Sequence, residues 1–249
     1  MKILKELRLN VNGTSKVIYF GSPDNHDELT EMYKLRYDVY SSRGYINKKI
    51  SAEGLEKDNY DKENKCDYFI AKIDGRIIGT ARLIRDSILP TEKECFVFEE
   101  PEEIGRIPRN NRAELGRLIV IPYGKNVYLP RNLVTLFLLS CLLDFCLENN
   151  ILGGYAFIKD KLKIKLQKLK MPIHVIENFV QKYPQNGLLA GYFGDKENSV
   201  VPMYFIVDEF KKYIDKTINN SLMFKKNNNS EYLLRENPYN KFLKILKII

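Results

Sequence analysis

Arg112-Ala113-Glu114-Leu115-Gly116-Arg117-Leu118-Ile119-Val120-Ile121-Pro122 sets a carboxylate and a guanidinium three residues apart at the entrance of an apolar run. Leu118 to Ile121 is β-branched and leucine-rich, as suits a strand buried on both faces, and Pro122 with Gly124 ends it. Positions three apart on a strand point to opposite faces, so Glu114 and Arg117 share a site only where a bulge or bend intervenes. Gly116 is the residue suited to one. Taken alone, the pair reads as readily as a solvated strand end.

Downstream, Pro130-Arg131-Asn132 leads into an apolar segment that Asn149-Asn150 ends, and Gly154-Tyr155-Ala156-Phe157-Ile158 follows as a strand. Strand, helix and strand in that order need a crossover, which predicts two parallel neighbours in the middle of a sheet. The apolar segment, Leu133 to Leu147, is broken by Thr135, Ser140 and Asp144 and falls short of the roughly 20 residues that span a bilayer. It reads as a buried helix. Lys159 to Lys170 carries six lysines with Leu162, Leu166 and Leu169 on one helical face, a surface helix. Strands near Ile173 to Ile176 and Val201 to Val207, and a helix over Asp208 to Ile218, complete the series. Asn219 to Ser230 reads as a polar linker, and Asn240 to Ile249 as a basic amphipathic tail able to touch a membrane or pack back. The expected division is therefore a domain over 1–218 and a linker with tail over 219–249.

Upstream, Asp74-Gly75 between two strand-like runs is a hairpin signal, because both central residues of that turn need positive φ. Arg82 sits late in the second of these strands. Lys16 to Phe20 is strand-like, and Asp24 or Asn25 can cap a helix that Gly44 stops. On it Arg36 and Tyr40 lie one turn apart on the same face. Gly44 to Lys65 is polar and aperiodic, with Asp58-Asn59-Tyr60-Asp61 at its end. A loop of this length is either functional or a solvated acidic turn. Residues 86–111 read as an irregular connection with a short helix near Thr91 to Glu100.

The chain has 249 residues and a formal charge of +8. The charge suits an acidic partner, whether nucleic acid, anionic membrane or an acidic carrier protein, or reflects a lysine-rich composition with no partner behind it. Cys66, Cys95, Cys141 and Cys146 show neither CxxC nor metal spacing, and two histidines give no metal set, so no metal is expected. With a mixed, charged N-terminus, the expectation is reduced thiols in the cytoplasm.

Four separated pieces resemble one family: Leu35-Arg36-Tyr37-Asp38-Val39-Tyr40 with Gly44-Tyr45-Ile46, Asp58-Asn59-Tyr60-Asp61, Gly79-Thr80-Ala81-Arg82-Leu83-Ile84, and Glu114-Leu115-Gly116-Arg117-Leu118-Ile119-Val120. Their order and spacing are similar to those of the autoinducer-synthase-like N-acyltransferases of the GNAT superfamily, which include long-chain N-acyl amino acid synthases and acyl-homoserine-lactone synthases. The resemblance covers roughly residues 15 to 215. It implies an α/β (α+β) fold, a mixed twisted sheet with helices on both faces, and acyl transfer from a thioester to an amine. It gathers Arg36, Tyr40, Tyr45, Asp61 and Arg82 near the acceptor and Glu114, Arg117 and Asp58 at the chemistry, Glu114 first as general base and Asp58 next. The arginines would hold the carboxylates or receive the acceptor's carboxylate. Backbone amides of Leu118, Ile119 and Val120 would stabilise the thioester oxyanion.

The sequence departs from the superfamily where acetyl-CoA users carry a glycine-rich phosphate loop: Lys125 to Leu133 has no glycine. A pantetheine arm can still meet the helix start at Arg131 and Asn132, which favours an acyl carrier protein over coenzyme A as donor, with no permanently bound cofactor. Phe137, Tyr155 and Phe157 are candidates for the acyl pocket, although core packing suits each. Lactone synthases use S-adenosylmethionine and carry a tryptophan after the first helix; this chain has no tryptophan, and Tyr45-Ile46 stands in its place, favouring an amino acid acceptor. Gly116 stands where serine is usual. The competing readings are a lactone synthase, a CoA-dependent acetyltransferase, and a noncatalytic module binding nucleic acid or membrane. Nucleic-acid binding is disfavoured because no aromatics interleave with the lysine run.

Overall fold

The sheet begins from strands whose turns the sequence dictates. A computed structural model describes residues 1–11, 14–51, 53–123, 131–219, 224–226 and 231–234. β1 (Lys2–Val11) and β2 (Thr14–Ser22) pair antiparallel, and α1 (His26–Ser42) starts where Asn25 Oδ1 accepts the Glu28 amide. α2 (Asn59–Lys62) follows the long loop. β3 (Cys66–Ile73) and β4 (Arg76–Ile84) form the expected hairpin, with Asp74 at φ 47° and Gly75 at φ 78° in its turn.

A π-helical turn (Thr91–Cys95), β5 (Phe96–Val97), α3 (Glu102–Gly105) and a 3-10 turn (Arg109–Asn111) occupy the connection to β6 (Arg112–Val120). Then come α4 (Arg131–Glu148), β7 (Gly153–Lys159), α5 (Asp160–Lys168), β8 (His174–Val175), β9 (Val180–Gln181) and α6 (Ala190–Gly194). β10 (Val200–Ile206), α7 (Val207–Asn219), β11 (Phe224–Lys226) and β12 (Glu231–Leu234) close the described chain. The main sheet runs β11-β12-β1-β2-β3-β4-β6-β7-β10-β8, and β5 pairs with β9 apart from it.

β6 and β7 are parallel neighbours in the middle of this order, as the crossover requires. α4 and α7 cover one face, where the apolar side chains of α4 meet Ala81, Leu83 and Ala113. α1 packs on the opposite face of β4 and β6. Two elements differ from the sequence reading. β1 is a strand because Lys5, Leu7 and Leu9 alternate inward; Lys5 disguises the pattern, and its ammonium is satisfied by Asp144 at 2.6 Å and by Ser140 on α4. Within the segment read as linker and tail, β12 pairs parallel with β1, and Tyr232 is buried against Phe137. The basic tail itself, Asn240 to Ile249, lies outside the described residues. Among the described residues no helix is long and apolar enough to cross a membrane.

Candidate active site

Strand alternation places Thr80, Arg82 and Glu114 on the α1 side of the sheet, since their neighbours Ala81, Leu83, Ala113 and Leu115 face α4. Arg117 would follow Leu115 to the α4 side were the ladder regular. It is not: Thr80 pairs with Ile119 and Arg82 with Gly116, so Arg117 and Leu118 together stand opposite Ala81. This is a bulge, and its bend is carried by Arg117 at φ 53° rather than by Gly116, the residue the sequence suggested. A Cβ on Gly116 would meet nothing within 4 Å, so the missing serine leaves room rather than a conformational requirement.

The bulge turns Arg117 into a buried cluster. Its guanidinium donates to Glu56 Oε1 from Nε at 3.0 Å and from Nη2 at 2.8 Å, and Nη2 also reaches Asp58 Oδ2 at 3.0 Å. Arg82 Nη2 donates to Asp58 Oδ2 at 2.8 Å, and its Nη1 lies 2.9 Å from Asp61 Oδ2. Arg36 pairs with Glu56 and donates from Nη2 to Asp61 Oδ2 at 2.9 Å. Three guanidiniums thus face three carboxylates, and only Asp58 keeps appreciable exposure, 20 % of its side chain. Asp58 and Asp61 are fixed by the local sequence: Asp58 Oδ1 accepts the Tyr60 and Asp61 amides, and Asp61 Oδ2 accepts the Asp58 amide, a capping box on α2. Tyr68 donates its hydroxyl to Asp61 Oδ1 at 2.9 Å.

Glu56 bridges Arg36 and Arg117, yet the sequence reading passed over it. It sits in the aperiodic loop with no motif of its own; the available signal was no more than an acidic residue two positions before Asp58.

These carboxylates differ in basicity for identifiable reasons. Burial alone would raise Glu56, but the adjacent Arg117 and Arg36 hold it down at about 2. Burial likewise opposes the Arg36 and Arg82 charges at Asp61, and the arginines win, leaving it well below the usual carboxylate range. Glu114 is the opposite case. It is 2 % exposed and has no ion pair among the described residues; burial pushes it up to about 7, with the Thr91 amide on its Oε2 at 2.6 Å and the charges of Arg82 and Arg117 only moderating the rise.

Beyond Leu115 paired with Ala156, β6 and β7 no longer bond to each other, although they run on to Val120 and Lys159. A cavity of about 460 Å³ fills this splay and passes through the sheet. On the α1 side Tyr40, Arg117 and Tyr192 border it; on the other, side chains of α4, α5 and α7 do. Next to Tyr40 and Tyr192 the loop after α1 is tied down, with Tyr192 N donating to Tyr45 O at 2.9 Å and Asn47 N to Leu188 O at 2.8 Å. A Cβ at Gly191 would come within 1.9 Å of Gly44 O, so this closure needs glycine. Tyr45 makes edge contacts with Tyr40 and Tyr192, at 6.1 and 5.1 Å between ring centroids.

Of the residues singled out in the sequence, Tyr40, Arg117, Leu118, Asn132 and Phe157 border the cavity. Arg36, Asp58, Asp61 and Arg82 belong to the charge cluster behind Arg117, and Glu114 stands beside it. Phe137 and Tyr155 do not line the cavity: Phe137 packs on Phe20 and Tyr232 in the α4 core, and Tyr155 is buried with Leu89, Ile104 and Ile176. Ile119 and Val120 do not border it either, because past the bulge Ile119 is buried in the ladder with Thr80 and Val120 packs into the α4 core. The Arg131 side chain lies outside the described residues. Among the described residues, no His, Cys, Asp and Glu group could hold a metal ion.

Residues 31–145, which carry the charge cluster and all of β6, match the family model of the N-acyl amino acid synthase FeeM. Over this stretch the chain is similar to the N-acyl amino acid synthases, a similarity that marks it as an acyltransferase. Its fold is shared with the solved structure of FeeM, an N-acyl amino acid synthase from uncultured soil microbes, at TM-score 0.53 and 13% identity over 80% of this chain and 94% of that one. The CoA-dependent acyl-homoserine lactone synthase MesI aligns at TM-score 0.52 and 20% identity over 77% and 87% of the two chains. A second such synthase, BjaI with SAM and isopentyl-CoA, aligns at TM-score 0.51 and 17% identity over 76% and 82%. No curated protein sequence matches the acyltransferase. At these identities the structural likeness is one of fold, the GNAT-like splayed sheet.

Proposed function

We propose that this acyltransferase moves a fatty acyl group from an acyl carrier protein thioester to the amine of an amino acid. The observation that carries the reading is the meeting, at Arg117, of an apolar cavity through the sheet with a buried, charge-balanced cluster: a place for an acyl chain ends where a polar acceptor can be held. The acyl chain occupies the cavity, its thioester carbonyl beside the splay. The amine attacks that carbonyl, the C–N bond forms, the C–S bond breaks, and the thiol leaves with its carrier. Backbone amides of the bulge at Leu118 and its neighbours face the oxyanion.

An ammonium must lose a proton before it attacks. Glu56 and Asp61 are too acidic to take it, whereas Glu114, at about 7, has the basicity that work at neutral pH demands. Glu114 does not border the cavity, so the proton reaches it through a water. Arg36 and Arg82 act as holders of the carboxylates rather than as direct acceptor contacts, since both are buried behind Arg117 and neither borders the cavity. Tyr40, which borders the cavity, and Tyr45, in edge contact with it, contact the acceptor. The lysines of α5 suit an acidic carrier.

Coenzyme A is the donor to set against the carrier, because MesI and BjaI are both described as CoA-dependent. The deciding experiment offers the purified protein acyl carrier protein and coenzyme A thioesters of the same chain, each with amino acids or with S-adenosylmethionine, and reads products by mass spectrometry. An N-acyl amino acid formed faster from the carrier supports the reading; a lactone with consumption of S-adenosylmethionine, or no transfer from any donor, defeats it.

A further inference from the structure

The wall of the cavity on the α4–α7 side is unlike the rest of the molecule. α5 turns Leu162, Leu166 and the following Leu169 toward the cavity, yet no residue of this helix is buried, and Leu162 remains 41% exposed. A helix with so little core of its own is held at its ends. At the start, Asp160 N donates to Ser199 O at 2.8 Å and Lys161 N to Asn198 Oδ1 at 3.0 Å. At the finish stands one side chain from a different element: Tyr213 of α7, whose hydroxyl donates to the carbonyl of Leu169, the C-cap of α5, at 2.8 Å. The ring of Tyr213 itself borders the cavity, on the face of the sheet opposite Arg117.

Tyr213 therefore borders the far side of the cavity and latches with its hydroxyl a wall helix that has no buried residue of its own. We propose that Tyr213 is a specificity-determining residue that sets the longest acyl chain the enzyme accepts. The inference rests on the reading of the cavity as the acyl site. It separates the two jobs: the ring limits length, and the hydroxyl governs how readily α5 yields to admit a chain.

The test measures kcat/KM along a series of saturated acyl thioesters of increasing length, and in parallel the displacement of a dansyl-labelled fatty acid by free fatty acids of the same lengths. Tyr213→Ala moves both preferences toward longer chains, changing the long-to-short ratio roughly tenfold or more, the effect of adding or removing a methylene or two from an apolar pocket. Tyr213→Phe keeps the preferred length and raises amide hydrogen exchange in residues 160–169 above that of the remaining helices. If no donor is transferred but Tyr213→Ala still shifts the fatty-acid series, acyl transfer is wrong and the role of Tyr213 stands. Transfer with an unmoved length preference in both assays, or no fatty acid bound by the wild type, overturns it.

Discussion

On the α1 side of the sheet, three guanidiniums and three carboxylates, all but Asp58 withdrawn from water, stand with every charge opposed; on the α4–α7 side, space is walled by leucine, phenylalanine and tyrosine. The first region is rigid because any unpaired member would be a buried charge. The second tolerates emptiness, because an apolar wall loses only dispersion contacts when nothing fills it. On the proposed reading the transferase uses the first as an acceptor end that discriminates by charge and the second as a donor end that adapts to a chain. Arg117 is where they touch.

The largest effect should come from Glu114, the carboxyl beside the cluster that no guanidinium among the described residues holds. Glu114→Gln is expected to lower kcat about a hundred-fold to ten-thousand-fold, with the donor KM nearly unchanged. The wild-type rate should climb as pH rises through about 7, where Glu114 loses its proton, and the variant should lack that limb. Stability runs the other way. A carboxyl raised from 4.5 to about 7 by burial is neutral in the folded state where the unfolded chain has already ionised, so its contribution is lost as pH rises from 4.5 through 7. The loss is about 3 kcal/mol, and urea titrations of the wild type against the variant at pH 5 and pH 8 would show it. Glu56 has the reverse sign: held at about 2, it contributes stability above 4.5 that disappears as pH falls toward 2.

Next in size is the cluster itself. Arg36→Met should cost about 3–5 kcal/mol, because it leaves Glu56 and Asp61 with one positive charge too few. Adding Glu56→Met should recover part of that loss, and additive costs in denaturant melts would mean that the cluster is not one unit. In the apolar region, Phe137→Ala should also cost about 3–5 kcal/mol while leaving the acyl-length preference alone. Phe157→Ala, on a wall that already borders space, should cost less stability and raise the donor KM. The smallest effect belongs to the surface: Lys163→Glu with Lys165→Glu should raise KM for an acyl carrier protein several-fold at low salt and leave an acyl-CoA of the same chain unaffected, an attraction of rim charges worth about 1 kcal/mol.

Much of this was legible in the residues. Asp74-Gly75 gave the hairpin because the turn needs positive φ at both positions, and the order of strand, apolar helix and strand fixed β6 and β7 as parallel neighbours because no short loop can join such a pair. The need for a bulge between Glu114 and Arg117 followed from strand alternation. Its location did not, since a left-handed arginine is held by tertiary ion pairs that local propensity cannot see. Glu56 was hidden for a related reason: its partners are 20 and 61 residues away, and nothing local marks it. β1 was masked by Lys5, a charge on the inward face that only Asp144 and Ser140 on a distant helix make tolerable. Phe137 and Tyr155 show the limit for aromatics, whose size says that they are buried but not beside what.

The bridge from Glu56 to Arg117 has a kinetic consequence. Arg117 can meet Glu56 only once β4 has paired with β6 and formed the kink, whereas α1 offers Glu56 the Tyr33 carbonyl and Arg36 without the sheet. The last of the Glu56 ion pairs to close is therefore expected to be the one with Arg117, and pulse-labelled hydrogen exchange during refolding that protects residues 44–58 before β6 would contradict that order.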